Sequence, residues 1–318
     1  VLSTAEPGDD LAATISAMQA TMDARPTETP TEPPPMEDLV GTSVAATLAA
    51  LQPTQAPPAT ETPTEAPPTP EQPSGPEASD AGFEEWMQTA KIVVYEDMSG
   101  VKYVRQFVQE SLEAMDIPFK DDGSAKGWLK DDLLYGPEGG GAWDLIILAT
   151  ERRAGLSGEF FTYLEDNMAQ GSSVIIEAWH LDRISRGAVK PLLDRCGVKV
   201  GGNYVGTSYT DFDLVLWPLT PHPLLSEPNQ LSFTRPVQFH VWTDLGDLMA
   251  LTGEGDAQLL LGRNPELPDR HGVLTVCLGG RMILQTFGSH SYEIDVMKAA
   301  WENYVRYALK TRYYGSHE

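Results

Sequence analysis

The sequence predicts an α/β fold: an open sheet whose second half is rich in β-strands, preceded by an extended Pro/Thr-rich tail with two short helices. Three observations predict it. Short apolar runs alternate with amphipathic stretches between residues 91 and 196, the pattern of right-handed βαβ units on a parallel sheet. From about Val198 to Phe287 strand signals follow one another with few helical ones between. Residues 1–85 carry no aromatic side chain before Phe83 and hold 15 of the 25 prolines, too little apolar area to offset ordering entropy.

In chain order, KIVVYE (91–96) reads as a strand, and the spacing of Val101, Val104, Phe107, Val108, Leu112 and Met115 predicts a helix after it. WDLIIL (143–148) and SVIIEA (173–178) read as further strands. EFFTYLEDNM (159–168) and Ile184–Cys196 read as helices, with Gly197 suited to end the second. Strands are then expected at DLVLWPL, PVQFHVW, LMALTG, AQLLLG, VLTVCLG and RMILQTFG. A closing helix puts Ile294, Met297, Trp301, Tyr304, Val305 and Leu309 on one face. Two domains are expected: a tail over 1–85 and an α/β body over 86–318.

Charge excludes some functions. The 318 residues carry 46 acidic and 22 basic side chains, a net charge of −24. Nucleic-acid binding needs a basic footprint, and docking on an anionic membrane needs the same. No apolar run reaches the ~18 residues that span a bilayer. The tail holds −14 of the charge, with Arg25 its one basic residue, and reads as a self-repelling stalk. It resembles the Pro/Thr-rich stalks of secreted bacterial proteins, which implies an extracellular or cell-surface location and O-glycans on its threonines. No Asn-x-Ser/Thr acceptor occurs in the chain.

The tail repeats itself. AATISAMQAT at Ala12–Thr21 matches AATLAALQPT at Ala45–Thr54, and TETPTE at Thr27–Glu32 recurs at Thr60–Glu65, both at an offset of 33. Leu11, Ile15 and Met18 form one helical stripe; Val44, Leu48 and Leu51 form its counterpart. Isolated helices this short are marginal in water. The stripes are either solvated linker or assembly contacts that order against another copy, as in a homo-oligomer or filament, or against an envelope partner.

The candidate ligand pocket comprises Glu177, Trp179, His180, His222, His290 and Glu293. The three histidines fall at predicted strand-to-loop junctions, near the carboxyl ends where open α/β sheets bind ligands, and the two glutamates are placed to orient them. The plainer reading is solvent-facing or capping histidines. No HxxxH-type spacing occurs, and no metal or cofactor is expected. Cys196 and Cys277 read as small core hydrophobes, or as a disulfide if the compartment is oxidising. Glu138–Ala142 reads as a flexible turn, since it lacks the Lys-Ser/Thr of a phosphate loop.

The element order, the ending Gly280-Arg281-Met282-Ile283-Leu284-Gln285-Thr286-Phe287-Gly288-Ser289-His290, and the turn Pro221-His222-Pro223-Leu224-Leu225 resemble the flavodoxin-like fold of class I glutamine amidotransferases. The likeness is greatest to trehalose-utilisation (ThuA-like) proteins, and it covers roughly residues 90–310. In active amidotransferases a G-x-C-x-G elbow presents the nucleophile. The equivalent stretch here, Ile175-Ile176-Glu177-Ala178-Trp179-His180-Leu181, has no Cys, Ser or Gly. The chemistry the resemblance implies is therefore expected to be absent. Two readings follow: a non-catalytic surface or assembly protein, and a sugar-binding protein or enzyme of the trehalose-utilisation type.

Overall fold

A computed structural model describes residues 80–97, 105–150, 156, 158–184, 186–205, 215–234 and 244–316. The two tail stripes, the 33-residue repeat, Val101 and Val104, and the strand expected at PVQFHVW lie outside the described residues.

The described chain opens with helix α1 (Asp80–Met87), strand β1 (Ile92–Asp97), α2 (Phe107–Ala114), β2 (Lys120–Gly123) and α3 (Lys126–Tyr135). It continues with β3 (Leu145–Thr150), α4 (Glu159–Ala169), β4 (Ser173–Ala178), α5 (Leu181–Ile184), α6 (Lys190–Cys196) and β5 (Val198–Val205). The strand-rich part holds β6 (Trp217–Pro218), β7 (Asp244–Leu251), β8 (Gln258–Gly262), β9 (Gly272–Cys277) and β10 (Met282–Gln285). Helix α7 (Ile294–Gly315) closes it.

The strands form one ten-stranded sheet, ordered β2-β1-β3-β4-β10-β9-β7-β5, with β8 pairing both β9 and β6. β2, β1, β3, β4 and β10 run parallel; from β9 onward the pairs are antiparallel. All residues of β1, β3, β4, β9 and β10 are buried, because helices cover both faces of a parallel sheet and both must be apolar. One face presents Val94, Ile147, Ile175 and Ile283 to α1, α2 and α7. The opposite face presents Tyr95, Leu148, Ile176 and Leu284 to α3, α4 and α6. The result is three layers around a central sheet.

Helix α7 buries Met297, Ala300, Trp301, Tyr304, Val305, Ala308 and Leu309, a stripe at spacings of three and four. Ile294, expected on that face, is 43% exposed. It occupies the first position of the helix, before the stripe meets the sheet. Helix α1 straddles the expected domain boundary at residue 85. Phe83 and Met87 belong to the core, and the Phe83 and Trp86 rings lie 5.8 and 5.3 Å from Tyr313. The folded body therefore reaches back at least to Asp80. The lone aromatic of the stalk's end, Phe83, is a core residue.

The helix expected over Ile184–Cys196 is α5 and α6, separated by a turn. Its predicted stop is present: Gly197 has φ +94° and donates its N–H to Leu193 O at 2.9 Å. A Cβ there would lie 1.9 Å from the Glu254 carbonyl oxygen. Gly197→Ala is therefore expected to cost about 2 kcal/mol or more, measured as a shift of the urea midpoint. Beside this turn Cys196 and Cys277 are joined in a disulfide across 81 residues, with Cα atoms 5.3 Å apart. Of the two readings of the cysteines, the bridge is the one present.

Candidate functional site

Parity along the strands assembles a polar row at the carboxyl edge of the parallel sheet. Glu96, Ala149, Glu177 and Gln285 are register partners across β1, β3, β4 and β10. They follow Val94, Ile147, Ile175 and Ile283 by two residues, so their side chains share the face covered by α2 and α7. Glu96, Glu177 and Gln285 are at most 2% exposed. Two strand spacings, about 10 Å, separate the two glutamate backbones.

Each acidic group in this row is committed to a structural hydrogen bond. Glu96 accepts from the backbone N–H groups of Val108 (3.0 Å) and Gln109 (3.2 Å), the free donors of the first turn of α2. Burial pushes its carboxyl up to about 8, against the lowering by these two bonds. Glu177 accepts from Ser289 N (2.7 Å) and from Ser289 Oγ (2.9 Å). The same Oγ accepts from Gln285 Nε2 (3.1 Å) and Trp301 Nε1 (3.2 Å). Ser289 is 0% exposed. A hydroxyl–carboxylate pair thus sits in a buried network that ties β4 and β10 to the start of α7. Beside it Tyr304 is fully buried; burial, and then the charge of Glu177, raise its hydroxyl above the ordinary range.

The expected pocket residues do not converge. Glu177, Trp179 (1% exposed), His180 (2% exposed) and His290 follow the carboxyl ends of β4 and β10. Trp179 and His180 are buried. The His290 Nε2 accepts from the backbone N–H of Arg105 at 2.9 Å, and its ring lies 4.9 Å from Phe107. Glu293 is exposed, at the start of α7, and makes no side-chain cap.

His222 lies at the other edge. Its Nδ1 accepts from Leu224 N at 3.2 Å and its ring packs 5.0 Å from Tyr307. The Tyr307 hydroxyl lies against Gly280, which precedes β10. Burial lowers the His222 pKa, so the ring stays neutral and acts as an acceptor. His222 thus caps the short turn Pro223–Leu225, while Glu177, Trp179, His180 and His290 lie at the carboxyl ends of β4 and β10.

The sequence reading passed over Glu96, Gln285, Ser289 and Tyr304. Two acidic residues, Glu96 and Asp97, at the end of an apolar run were the available signal for the first.

A second buried acidic pair lies on the opposite face. Asp122 on β2 and Asp132 on α3 are 1% and 6% exposed. Lys120 Nζ donates to Asp132 Oδ1 at 2.6 Å. Burial, then a hydrogen bond to Asp132, pushes Asp122 up to about 7. Among the described residues no group of three His, Cys, Asp or Glu side chains is placed to hold a metal ion, and no helix is long and apolar enough to cross a membrane. No family model and no curated protein matches the chain.

Proposed function

We propose that the chain is a non-catalytic module of the extracellular space or cell surface, in which the acidic tail joins the body to other copies of the chain or to an envelope protein. The observation that carries this reading is the buried Glu177–Ser289 network. The hydroxyl and carboxylate nearest to a nucleophile–base pair at the sheet's carboxyl edge are buried and bonded to each other and to Gln285 and Trp301. A reacting group must reach substrate, and these hold a turn instead. The Cys196–Cys277 bridge supports an oxidising compartment. The strand order β2-β1-β3-β4 with β10 in fifth place supports the flavodoxin-like, amidotransferase-like reading of the sheet. A sugar site of the trehalose-utilisation type would need polar side chains converging on a pocket at this edge, where the described carboxylates face backbone donors.

The expected result is no ammonia release from glutamine and no turnover of activated esters by the full chain. Turnover that Ser289→Ala or Glu177→Gln abolishes would make the network an active site and overturn the reading. Light scattering tests the assembly part. The full chain is expected to form particles larger than a monomer, and Ile15→Asp with Leu48→Asp is expected to reduce them to monomers. Unchanged particle size in that variant would leave the tail as a spacer.

A further inference from the structure

Among the described residues five large apolar side chains are exposed, and three of them, Trp128, Leu134 and Tyr135, lie on α3. Exposed apolar residues are ordinary when scattered; these are in register. Trp128 (64% exposed) and Tyr135 (79% exposed) are one heptad apart, so they project from the same side of the helix, within about 20° of each other. The inward side buries Leu129 and Leu133 together with Asp132. The helix thus turns an aspartate in and two aromatic rings out, and rings so exposed contribute little to the core.

The outer face is open, and the helix beneath it is held firmly. A Cβ added at Gly127, next to Trp128, would meet no atom within 4 Å. On the inner side Lys120 Nζ of β2 donates to Asp132 Oδ1 at 2.6 Å, Trp143 Nε1 to Asp132 O at 2.9 Å, and Asn167 Nδ2 of α4 to Leu133 O at 2.9 Å. Lys130 Nζ lies 2.9 Å from Glu159 Oε1 of α4. A platform fixed in this way loses little freedom when a ligand settles on it.

Two rings in line, with a polar group beside them, match the chemistry of a chain of pyranose rings. The face of an aromatic ring is electron-rich; the face of a pyranose carries C–H groups of the opposite polarity, and its equatorial hydroxyls point sideways. One heptad of helix advances about 10.5 Å, the length of a disaccharide unit in an extended glycan. Asp131 is exposed and stands about 4.5 Å along the axis from Trp128 and about 60° to the side, where a carboxylate can accept from those hydroxyls. Other occupants fit less well. The two rings offer about 400 Å² at most, against ~800 Å² per partner in a stable protein interface. A second copy docked about a two-fold axis would lay Trp128 on Tyr135 but set the two Asp131 carboxylates against each other. The net charge of −24 repels acidic glycans.

We propose that the outer face of α3 binds a neutral, β-linked polysaccharide lying along the helix, with Trp128 and Tyr135 stacked on pyranose rings and Asp131 accepting from their hydroxyls. The surface is distinct from the carboxyl edge of the sheet and does not depend on the tail.

The test is isothermal titration of the full chain with cellohexaose, chitohexaose and mannohexaose. At least one is expected to bind, with an affinity indifferent to salt because no ion pair forms. Trp128→Ala is expected to weaken binding about tenfold or more, and Tyr135→Ala about fivefold or more, while Trp128→Tyr keeps most of it. Both positions are exposed, so the thermal midpoint of each variant is expected to equal that of the parent. No binding of any of the three hexasaccharides, or binding that both alanine variants leave unchanged, would overturn the proposal. Particles in light scattering that Trp128→Ala reduces to monomers would make the face a contact between copies and overturn it too. Ile15→Asp with Leu48→Asp is expected to bind the hexasaccharide like the parent, so failure of the tail's assembly role and failure of the glycan surface are told apart.

Discussion

Replacing Cys196 and Cys277 together by alanine is expected to lower the unfolding midpoint by about 10 °C. The bridge closes a loop of 81 residues. In the chain-entropy view, releasing a loop of that length gives the unfolded ensemble about 4–5 kcal/mol of additional freedom. For a folded region of this size each kcal/mol moves the midpoint by about 2–4 °C. Alanine is the appropriate replacement because Cys196 and Cys277 are 0% and 2% exposed, and serine would bury two hydroxyls as well. The turn beside the bridge keeps two backbone bonds in the variant, Ala257 N to Cys196 O at 3.0 Å and Thr252 N to Gly197 O at 2.9 Å, which favours the lower part of the range. Thermal unfolding followed by circular dichroism, with and without reductant, measures it. A parent protein whose midpoint ignores reductant and a variant that matches it would show that the loop constraint contributes nothing.

The second large effect is one of pH. The parent chain is expected to lose stability as pH rises from about 5 to about 8, and Glu96→Gln is expected to remove most of that loss. The folded carboxyl of Glu96 is raised to about 8 from an ordinary 4.5. Between those values the folded chain holds a proton that the unfolded chain has released. Stability therefore falls as pH rises through the interval and levels off above it. At about 1.4 kcal/mol per pH unit, the full interval amounts to about 5 kcal/mol as an upper bound. Asp122, raised to about 7 from 3.8, adds in the same direction over a lower interval. His222 opposes them: burial lowers its pKa, so its contribution to stability rises with pH through the ordinary histidine range. The Glu96→Gln variant isolates one group from this sum. Urea unfolding of parent and variant at a series of pH values gives the two slopes. Equal slopes would show that Glu96 ionises in the folded chain like a solvated carboxyl.

How much of this was legible in the sequence depends on where the physical cause lies. β1, β3, β4 and β10 were readable because a strand buried on both faces is a continuous apolar run, and that run is itself the cause of the burial. β2 was not: Lys-Asp-Asp-Gly has no apolar pattern, and it pairs with β1 at the edge of the sheet with Asp122 as its one buried side chain. α3 was missed because Lys126–Tyr135 contains Gly127 and has only a faint apolar stripe. Glu177 was readable as a strand-end carboxylate. Its partner Ser289 is 112 residues away and meets it because β10 lies beside β4, a pairing that no local signal announces. His222 was grouped with the other histidines by its junction with a strand, yet β6 is two residues long and belongs to the antiparallel part of the sheet. The cysteines lay in a predicted helix end and a predicted strand; only the tertiary arrangement of α6 against β9 decides between two thiols and a bridge.

The contact of Asp80 with Tyr314 joins the beginning of the described body to its last helix. The start of α1 and the end of α7 thus lie side by side, so the segment between them is, in topological terms, a ring cut at one point. A linker of a few glycines between Ser316 and Asp80 would close it, and the turn at Gly139–Gly141, where all three residues have positive φ and are exposed, is a place to cut it elsewhere. The same adjacency means that a load applied between the stalk and the far end of α7 is carried by the α1–α7 seam, from Phe83 and Trp86 on Tyr313 to the Glu84–Arg306 pair. The sheet and its disulfide lie outside that line of tension.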